Sequence, residues 1–418
     1  MNILKKYWNS LYANAFHFLR WIILATLTGL LIGGVGFLFV KGLGLANTFR
    51  QDHPVILLGL PLAGVVIVFL YKICRYENDR GTNLIISALR DKLPIPFRMA
   101  PLIFISTIVT HLFGGSAGRE GAALQLGGSI GNQLGRWFHL DKEDTEMITM
   151  CGMSAAFSAI FGTPLAAVFF VLEISSVGLM HYAAFVPCMF ASLTASSVAS
   201  GLGVHAEAFT ITEPLDFALL PALKFIILGI LCALVSILFC QLLHKVKHLM
   251  ETYLRNAYLR IIVSALLIIG LTIVLQTSAY SGAGVNLIEE AFAGTSPKLA
   301  FLWKIIFTVI TLGAGFKGGE IVPSFAIGAT FGCLFGTLFG LPLSLCAAVG
   351  MVSVFCGVTN CPISSLMIGF ELFGFESMKY LLIGVAISYV LSGYSGLYSE
   401  QTILDSKFKI EFLNRKAE

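Results

Sequence analysis

The chain reads as long apolar stretches separated by short polar or glycine-rich breaks. Apolar runs occupy Trp21–Val40, Pro54–Ile73, Pro101–Phe113, Ile148–Leu172, Ala218–Leu242, Ile261–Leu275, Ala300–Leu312 and Tyr380–Leu391. Several approach the ~20 residues needed to cross a bilayer, and others are short or interrupted by glycine. Backbone polar groups in hydrocarbon must be satisfied within the segment, so these runs predict helices. The broken ones must be buried in protein or line a cavity. The runs are continuous and lack period-two alternation, which argues against an outer-membrane barrel.

Composition strengthens the membrane reading. Apolar residues make up 57% of the 418 and charged residues only 12%, with a mean hydropathy of +0.86. Soluble globular domains do not combine these values. The N-terminal MNILKKYWNSLYANAFHFLR lacks a small-residue cleavage site after a short apolar core and does not read as a signal peptide. Basic residues flank the spans at Lys5, Lys6, Arg20, the Arg90–Lys92–Arg98 loop, the His244–Arg260 segment and Lys416. The positive-inside rule then places both termini in the cytoplasm. These flanks explain the net charge of +4 without invoking nucleic acid. The nine cysteines lie mostly inside apolar runs, none in a CxxC, and read as packing thiols. His244 and His248 share a helix face, but the segment HKVKH is basic and disfavours a metal, so it reads as a solvated interfacial face.

The most informative pattern is an internal repeat. Glu120 lies in HLFGGSAGREGAALQLGGSIGNQLG and Glu320 in TLGAGFKGGEIVPSFAIGATFGCLFG. Each glutamate follows a glycine-rich approach and opens an apolar helix with glycine at every fourth position: Gly127, Gly131 and Gly135, then Gly328, Gly332 and Gly336. That spacing lines one helix face and lets a second backbone approach. Downstream, GMSAAFSAIFGTPLAAVFFVLE and GMVSVFCGVTNCPISSLMIGFE share Gly152/Gly350, Met153/Met351, Phe157/Phe355, Pro164/Pro362 and Glu173/Glu371. The chain therefore reads as one transmembrane domain of two duplicated halves, about residues 19–203 and 216–404. Duplicated membrane halves, often in inverted topology, place a site near the midplane where interrupted helices meet. Helix N-termini there would favour an anion.

Glu120 admits two readings. It caps a helix and pairs with a cation such as Arg119, or it competes with a bound anion for the same N–H groups and swings away when protonated. Glu320 divides between a static ion pair with Lys317 and a second proton-handling role. Thr82 and Asn83 are either an ordinary N-cap or donors to the anion. Tyr398 is either an interfacial aromatic or a phenolic donor.

GREG at Gly118–Gly121, GGEIVP at Gly318–Pro323, the PLAAVFFVLE helix and GLYSEQTIL together resemble the CLC family of chloride channels and anion/proton antiporters, over about Leu19 to Leu404. The resemblance implies an all-α polytopic homodimer with an anion path in each subunit and no CBS domains, as in the shorter bacterial members. It puts Gly118, Arg119, Glu120 and Gly121 at the outer anion site, with Glu120 as gating glutamate and proton carrier. Thr82, Asn83, Tyr398 and the amides of Glu320, Ile321 and Val322 fall at the central one. Departures from the family pattern are specific. Ala122 replaces the proline of GREGP, Thr82 replaces the serine of GSGIP, Ile321 replaces the phenylalanine of GxFxP, and Glu320 is an added acid. The inner proton-transfer glutamate would follow Glu173, but Ile174 stands there. This combination resembles the fluoride-exporting branch, with Glu320 as the candidate second acid. It implies fluoride/proton exchange across a cell's inner (plasma) membrane. A chloride/proton antiporter or a voltage-gated-type chloride channel is the alternative.

Fluoride is small and strongly hydrated and needs short, strong donors; Thr82, Asn83, Tyr398 and helix N–H groups supply them without excluding chloride. A serine-protease reading rests on GGSAG at 114–118 and GYSG at 393–396. No histidine follows Ser395, and His111 is the nearest candidate base for Ser116.

Overall fold

A computed structural model describes residues 2–91, 93–205, 208–409 and 411–417, with side chains from residue 12 onward except residue 13. The side chains of Lys5 and Lys6, and Lys92 as a whole, therefore lie outside the described residues. Sixteen α-helices account for most of the described chain. The first half holds α1 (Asn2–Asp52), α2 (Leu60–Ile73), α3 (Thr82–Asp91), α4 (Met99–Leu112), α5 (Glu120–Trp137), α6 (Lys142–Phe161), α7 (Pro164–Ile174) and α8 (Phe185–Gly201). The second half holds α9 (Leu219–Tyr253), α10 (Ala257–Leu275), α11 (Val285–Phe292), α12 (Ala300–Ala314), α13 (Ile321–Phe339), α14 (Leu343–Thr359), α15 (Pro362–Phe373) and α16 (Met378–Leu391). Among the described residues, six helical stretches are long and apolar enough to cross a membrane, and six shorter apolar helices span 10–17 residues.

Local chemistry explains where the runs break. Nothing stops α1 until His53–Pro54, where proline removes a donor and biases the preceding residue away from helix. The continuous run 148–172 is in fact two helices. Gly162 turns the chain at φ 78°, and Pro164 then opens α7 at a position where its missing N–H costs nothing.

The repeated glycines do what their spacing predicts. Gly127, Gly131 and Gly135 of α5 face α6, and Gly328, Gly332 and Gly336 of α13 face α14. A methyl group added at Gly131 would lie 2.6 Å from the Ile148 carbonyl oxygen, and one at Gly127 would overlap that of Gly152. Backbone therefore rests on backbone at both crossings, with the Ala156, Thr145, Leu343 and Cys346 side chains also reaching the glycine faces.

The repeated glutamates close the halves on one another. The Glu371 carboxylate accepts from the backbone N–H of Leu165 and Ala166 at 2.9 and 2.8 Å. Glu173 accepts from Ile363 and Ser364 N–H at 3.1 and 2.8 Å, and from the Ser364 hydroxyl. Each carboxylate thus satisfies the orphan donors at the start of the helix belonging to the other half.

One feature falls outside the all-α expectation. A three-stranded sheet joins β1 (Ser176–Val177), β2 (Thr402–Asp405) and β3 (Phe412–Lys416), with β1–β2 parallel and β2–β3 antiparallel. It fastens the C-terminal segment beside the end of α7. All nine cysteines are free and all but Cys74 are buried.

Candidate functional site

Two glycine-rich segments meet head to head at the centre of the fold. Gly118 N–H donates to Gly319 O at 2.6 Å and Gly319 N–H returns to Gly118 O at 2.8 Å, an antiparallel bridge between the two repeated motifs. From this bridge α5 and α13 depart, so their N-terminal N–H groups and positive dipole ends converge. Only glycine fits here. A Cβ at Gly121 would lie 2.9 Å from Gly319 Cα and 3.0 Å from Glu320 Oε2. A Cβ at Gly118 would lie 2.9 Å from Pro323 Cδ and 3.2 Å from Glu120 Oε2.

Glu120 is fully buried and curls back over its own helix start. The Arg119 N–H donates to Oε2 and the Arg119 guanidinium Nε to Oε1, each at 3.2 Å. Arg119 is thus a direct ion-pair partner of Glu120, because its side chain folds over the same helix end.

A cavity of about 500 Å³ approaches from one side. Its wall includes Thr82, Asn83, Gln125, Gly318, Glu320 and Tyr398, together with six basic residues (Lys72, Arg80, Lys247, Arg255, Arg260, Lys317) against four acidic ones (Glu77, Asp79, Glu251, Glu320). Lys247, Glu251 and Arg255 are exposed, so the cavity reaches solvent through a basic mouth. Gly118, Arg119, Glu120, Gly121, Ile321 and Val322 do not line it. They connect to it through the Gly118–Gly319 bridge and the Glu320 carboxylate against Gly121.

Each predicted donor can now be placed. The Tyr398 hydroxyl is buried and has no hydrogen-bond partner among the described residues. Its backbone is held by Leu397 N–H to Val358 O at 2.8 Å, and by His244 Nε2 to Gly396 O at 2.8 Å. His244 is therefore half-buried and structural, whereas His248 is exposed. Thr82 is buried as the first residue of α3, after Gly81 at φ 56°. Asn83 Oδ1 accepts from the Glu400 N–H at 3.1 Å, so the oxygen half of its amide is committed to the C-terminal segment.

The Glu320–Lys317 pair does not form. Lys317 Nζ donates instead to Asp79 Oδ2 at 2.7 Å and lies over the Tyr71 ring. Asp79 in turn accepts from Gly81 N–H at 2.9 Å, anchoring the turn that presents Thr82. Glu320 Oε2 is buried without a hydrogen-bond partner among the described residues.

Sequence reasoning missed Gln125 and Lys304. Gln125 was one polar residue in a helix read as apolar. Lys304 sat in a run read as uniformly apolar, yet it is fully buried and donates to Ser116 Oγ, Tyr280 O and Gly282 O at 3.0, 3.2 and 2.7 Å. Those bonds pin the approach to the Gly118 bridge. Ser116 meets Lys304 and Thr308 in a fully buried setting, while His111 Nε2 faces Gly118 O at 3.4 Å. The serine and histidine of the protease reading are not paired.

A family model described as voltage gated chloride channel matches residues 62–393. The chain belongs to this CLC family. It is 37% identical over 395 residues to the "Chloride/fluoride channel protein" of Pseudomonas syringae pv. tomato, covering 93% of this chain and 87% of that protein. It is 26% identical to the "H(+)/Cl(-) exchange transporter ClcA" of Vibrio cholerae, covering 84% of this chain and 81% of that one. The crystal structure of a CLC-type fluoride/proton antiporter superposes with a TM-score of 0.89 at 34% identity, covering 93% of this chain and 99% of that chain. Membership fixes a multi-pass membrane fold of the transporter and channel type.

Proposed function

We propose that this CLC protein is a secondary transporter that exports fluoride in exchange for inward-moving protons. The observation that carries the reading is the pair of helix starts joined at Gly118–Gly319, with the fully buried Glu120 carboxylate on one and, on the other, a Glu320 carboxylate whose Oε2 has no hydrogen-bond partner among the described residues. Glu120 occupies the place an anion would take at the start of α5, so it serves as gate and proton carrier. Protonation removes its attraction to the Arg119 N–H and guanidinium and frees the site. Thr82 and Tyr398 donate to the anion in the cavity, joined by the free half of the Asn83 amide. The N–H groups of Glu320, Ile321 and Val322 and those of Gly118–Gly121 complete the path. Glu320, at the cavity wall and not bonded to Lys317, is the second acid that replaces the one absent at Ile174.

Support for fluoride comes from the solved fluoride/proton antiporter and from the chloride/fluoride channel protein. Support for proton coupling comes also from the proton/chloride exchanger. The protein works as a homodimer in the lipid bilayer of a cell's inner membrane. Its halves, about 19–203 and 216–404, are inverted repeats, and both termini and the basic cavity mouth are cytoplasmic. A chloride/proton antiporter is the second reading, since no donor in the cavity excludes the larger halide. Initial efflux rates from proteoliposomes loaded with potassium fluoride or potassium chloride separate the two. Fluoride should leave faster; faster chloride efflux would reassign the substrate.

A further inference from the structure

Gln125 is the one carboxamide of α5 that lines the anion cavity, five residues beyond Glu120. It is 4% exposed. Its Nε2 donates to Thr82 Oγ1 at 3.2 Å. Its Oε1 is buried with no hydrogen-bond partner among the described residues. The amide packs over Gly81, the residue that turns the chain into α3.

A threonine hydroxyl has one hydrogen and two lone pairs. When an amide N–H occupies a lone pair, the hydrogen stays free to point elsewhere. The reversed amide would take that hydrogen on Oε1 and turn Thr82's lone pairs toward the cavity, repelling an anion. The arrangement seen does the opposite: the Thr82 hydroxyl hydrogen stays free to point into the cavity. A small, hard anion gains most from such a donor, because it must recover a tightly held hydration shell through short contacts. The unpartnered Oε1 is an acceptor at the same wall, available to a water or another hydrogen-bond donor entering with the anion.

We propose that Gln125 is a positioning residue for fluoride selectivity: its carboxamide holds the Thr82 hydroxyl as a donor to the anion. This rests on the reading of the cavity as a fluoride site. The test is the ratio of initial fluoride to chloride efflux from proteoliposomes of the full-length protein, for wild type, Gln125→Met, Thr82→Val and the double variant. A charge-assisted hydrogen bond lost at the anion corresponds to about a 10-fold fall in the ratio. The ratio should fall by that factor in each single variant and no further in the double variant, since both remove one donor. A Gln125→Met ratio equal to wild type, or losses that multiply in the double variant, overturns the proposal. Should Gln125→Met not purify as a monodisperse protein, Gln125→Glu replaces it. That side chain keeps the shape but offers only acceptors to Thr82, so the same fall is expected and an unchanged ratio is equally fatal. Wild-type protein that moves chloride at least as fast as fluoride sinks the fluoride reading and this proposal together. It is told apart because it is seen before any substitution.

Discussion

Replacing Glu173 by Gln tests whether this carboxylate is a structural cap or a participant in proton transfer. It lies one position before the place where chloride-coupled relatives of the family carry an inner acid. In the structure its two oxygens take two backbone N–H bonds and one hydroxyl bond at the start of α15, and it is 6% exposed. Glutamine keeps one acceptor oxygen, loses the charge and turns an N–H₂ group toward donors. The cost is roughly one charge-assisted bond plus the helix-end interaction, about 2–4 kcal/mol. The matching Glu371 is only half-buried and makes two bonds at α7, so Glu371→Gln should cost about half as much, roughly 1–2 kcal/mol. Thermal unfolding of detergent-purified protein, followed by fluorescence-detected size exclusion, should order the midpoints wild type, Glu371→Gln, Glu173→Gln from high to low. Both variants, assayed at a temperature where they are folded, should keep the wild-type ratio of protons to anions moved. A Glu173→Gln protein of wild-type stability that has lost proton movement would refute the reasoning and make Glu173 a proton carrier.

Other outcomes follow from the same geometry. Tyr398→Phe breaks no hydrogen bond among the described residues, so its unfolding midpoint should match wild type while fluoride efflux slows about 10-fold. Lys317→Met strips the cation from Asp79, whose side chain is 2% exposed, and should destabilise by about 3 kcal/mol and slow efflux by loosening Gly81–Thr82. Gly332→Val forces a branched side chain onto the Cys346 backbone and should abolish recovery of monodisperse protein, checked by size exclusion. At the solvent-facing strap, the Lys416 and Arg90 side chains hold the Glu400 carboxyl below the usual carboxylate range. A folded-state pKa below the unfolded value gives stability that is complete above the unfolded value and is lost as pH falls through the lowered one. Proteolysis of residues 402–417 should therefore accelerate on acidification through that window, and Glu400→Gln should remove the dependence.

Much of the architecture was legible because it is written in local pattern. The apolar runs fell on nine of the sixteen helices, four-residue glycine spacing marked the α5–α6 and α13–α14 contacts, and the repeated Glu120 and Glu320 segments marked the two helix starts. What stayed hidden depends on which distant segments meet. Lys317 looked like the partner of Glu320 three residues away, but the folded chain offers it Asp79, 238 positions distant, and the Tyr71 ring. Nothing local shows that the Asn83 oxygen is taken by the Glu400 N–H, which fixes which end of its amide is left to donate. Lys304 vanished into an apolar run, although a lysine there is a signal in itself, since a buried cation must find several acceptors. Gln125 could have been found by asking why a carboxamide stands among the small residues following Glu120. The C-terminal sheet was missed because β1 is two residues long and its partner lies in the tail.

The central claim is that Glu120 both gates the anion and carries the proton. Fluoride-loaded proteoliposomes, monitored together by a fluoride electrode and a pH electrode, test it most directly. Wild type should release fluoride while the external solution turns alkaline, and Glu120→Gln should abolish proton uptake. Proton uptake that remains coupled to fluoride release in Glu120→Gln would contradict the account.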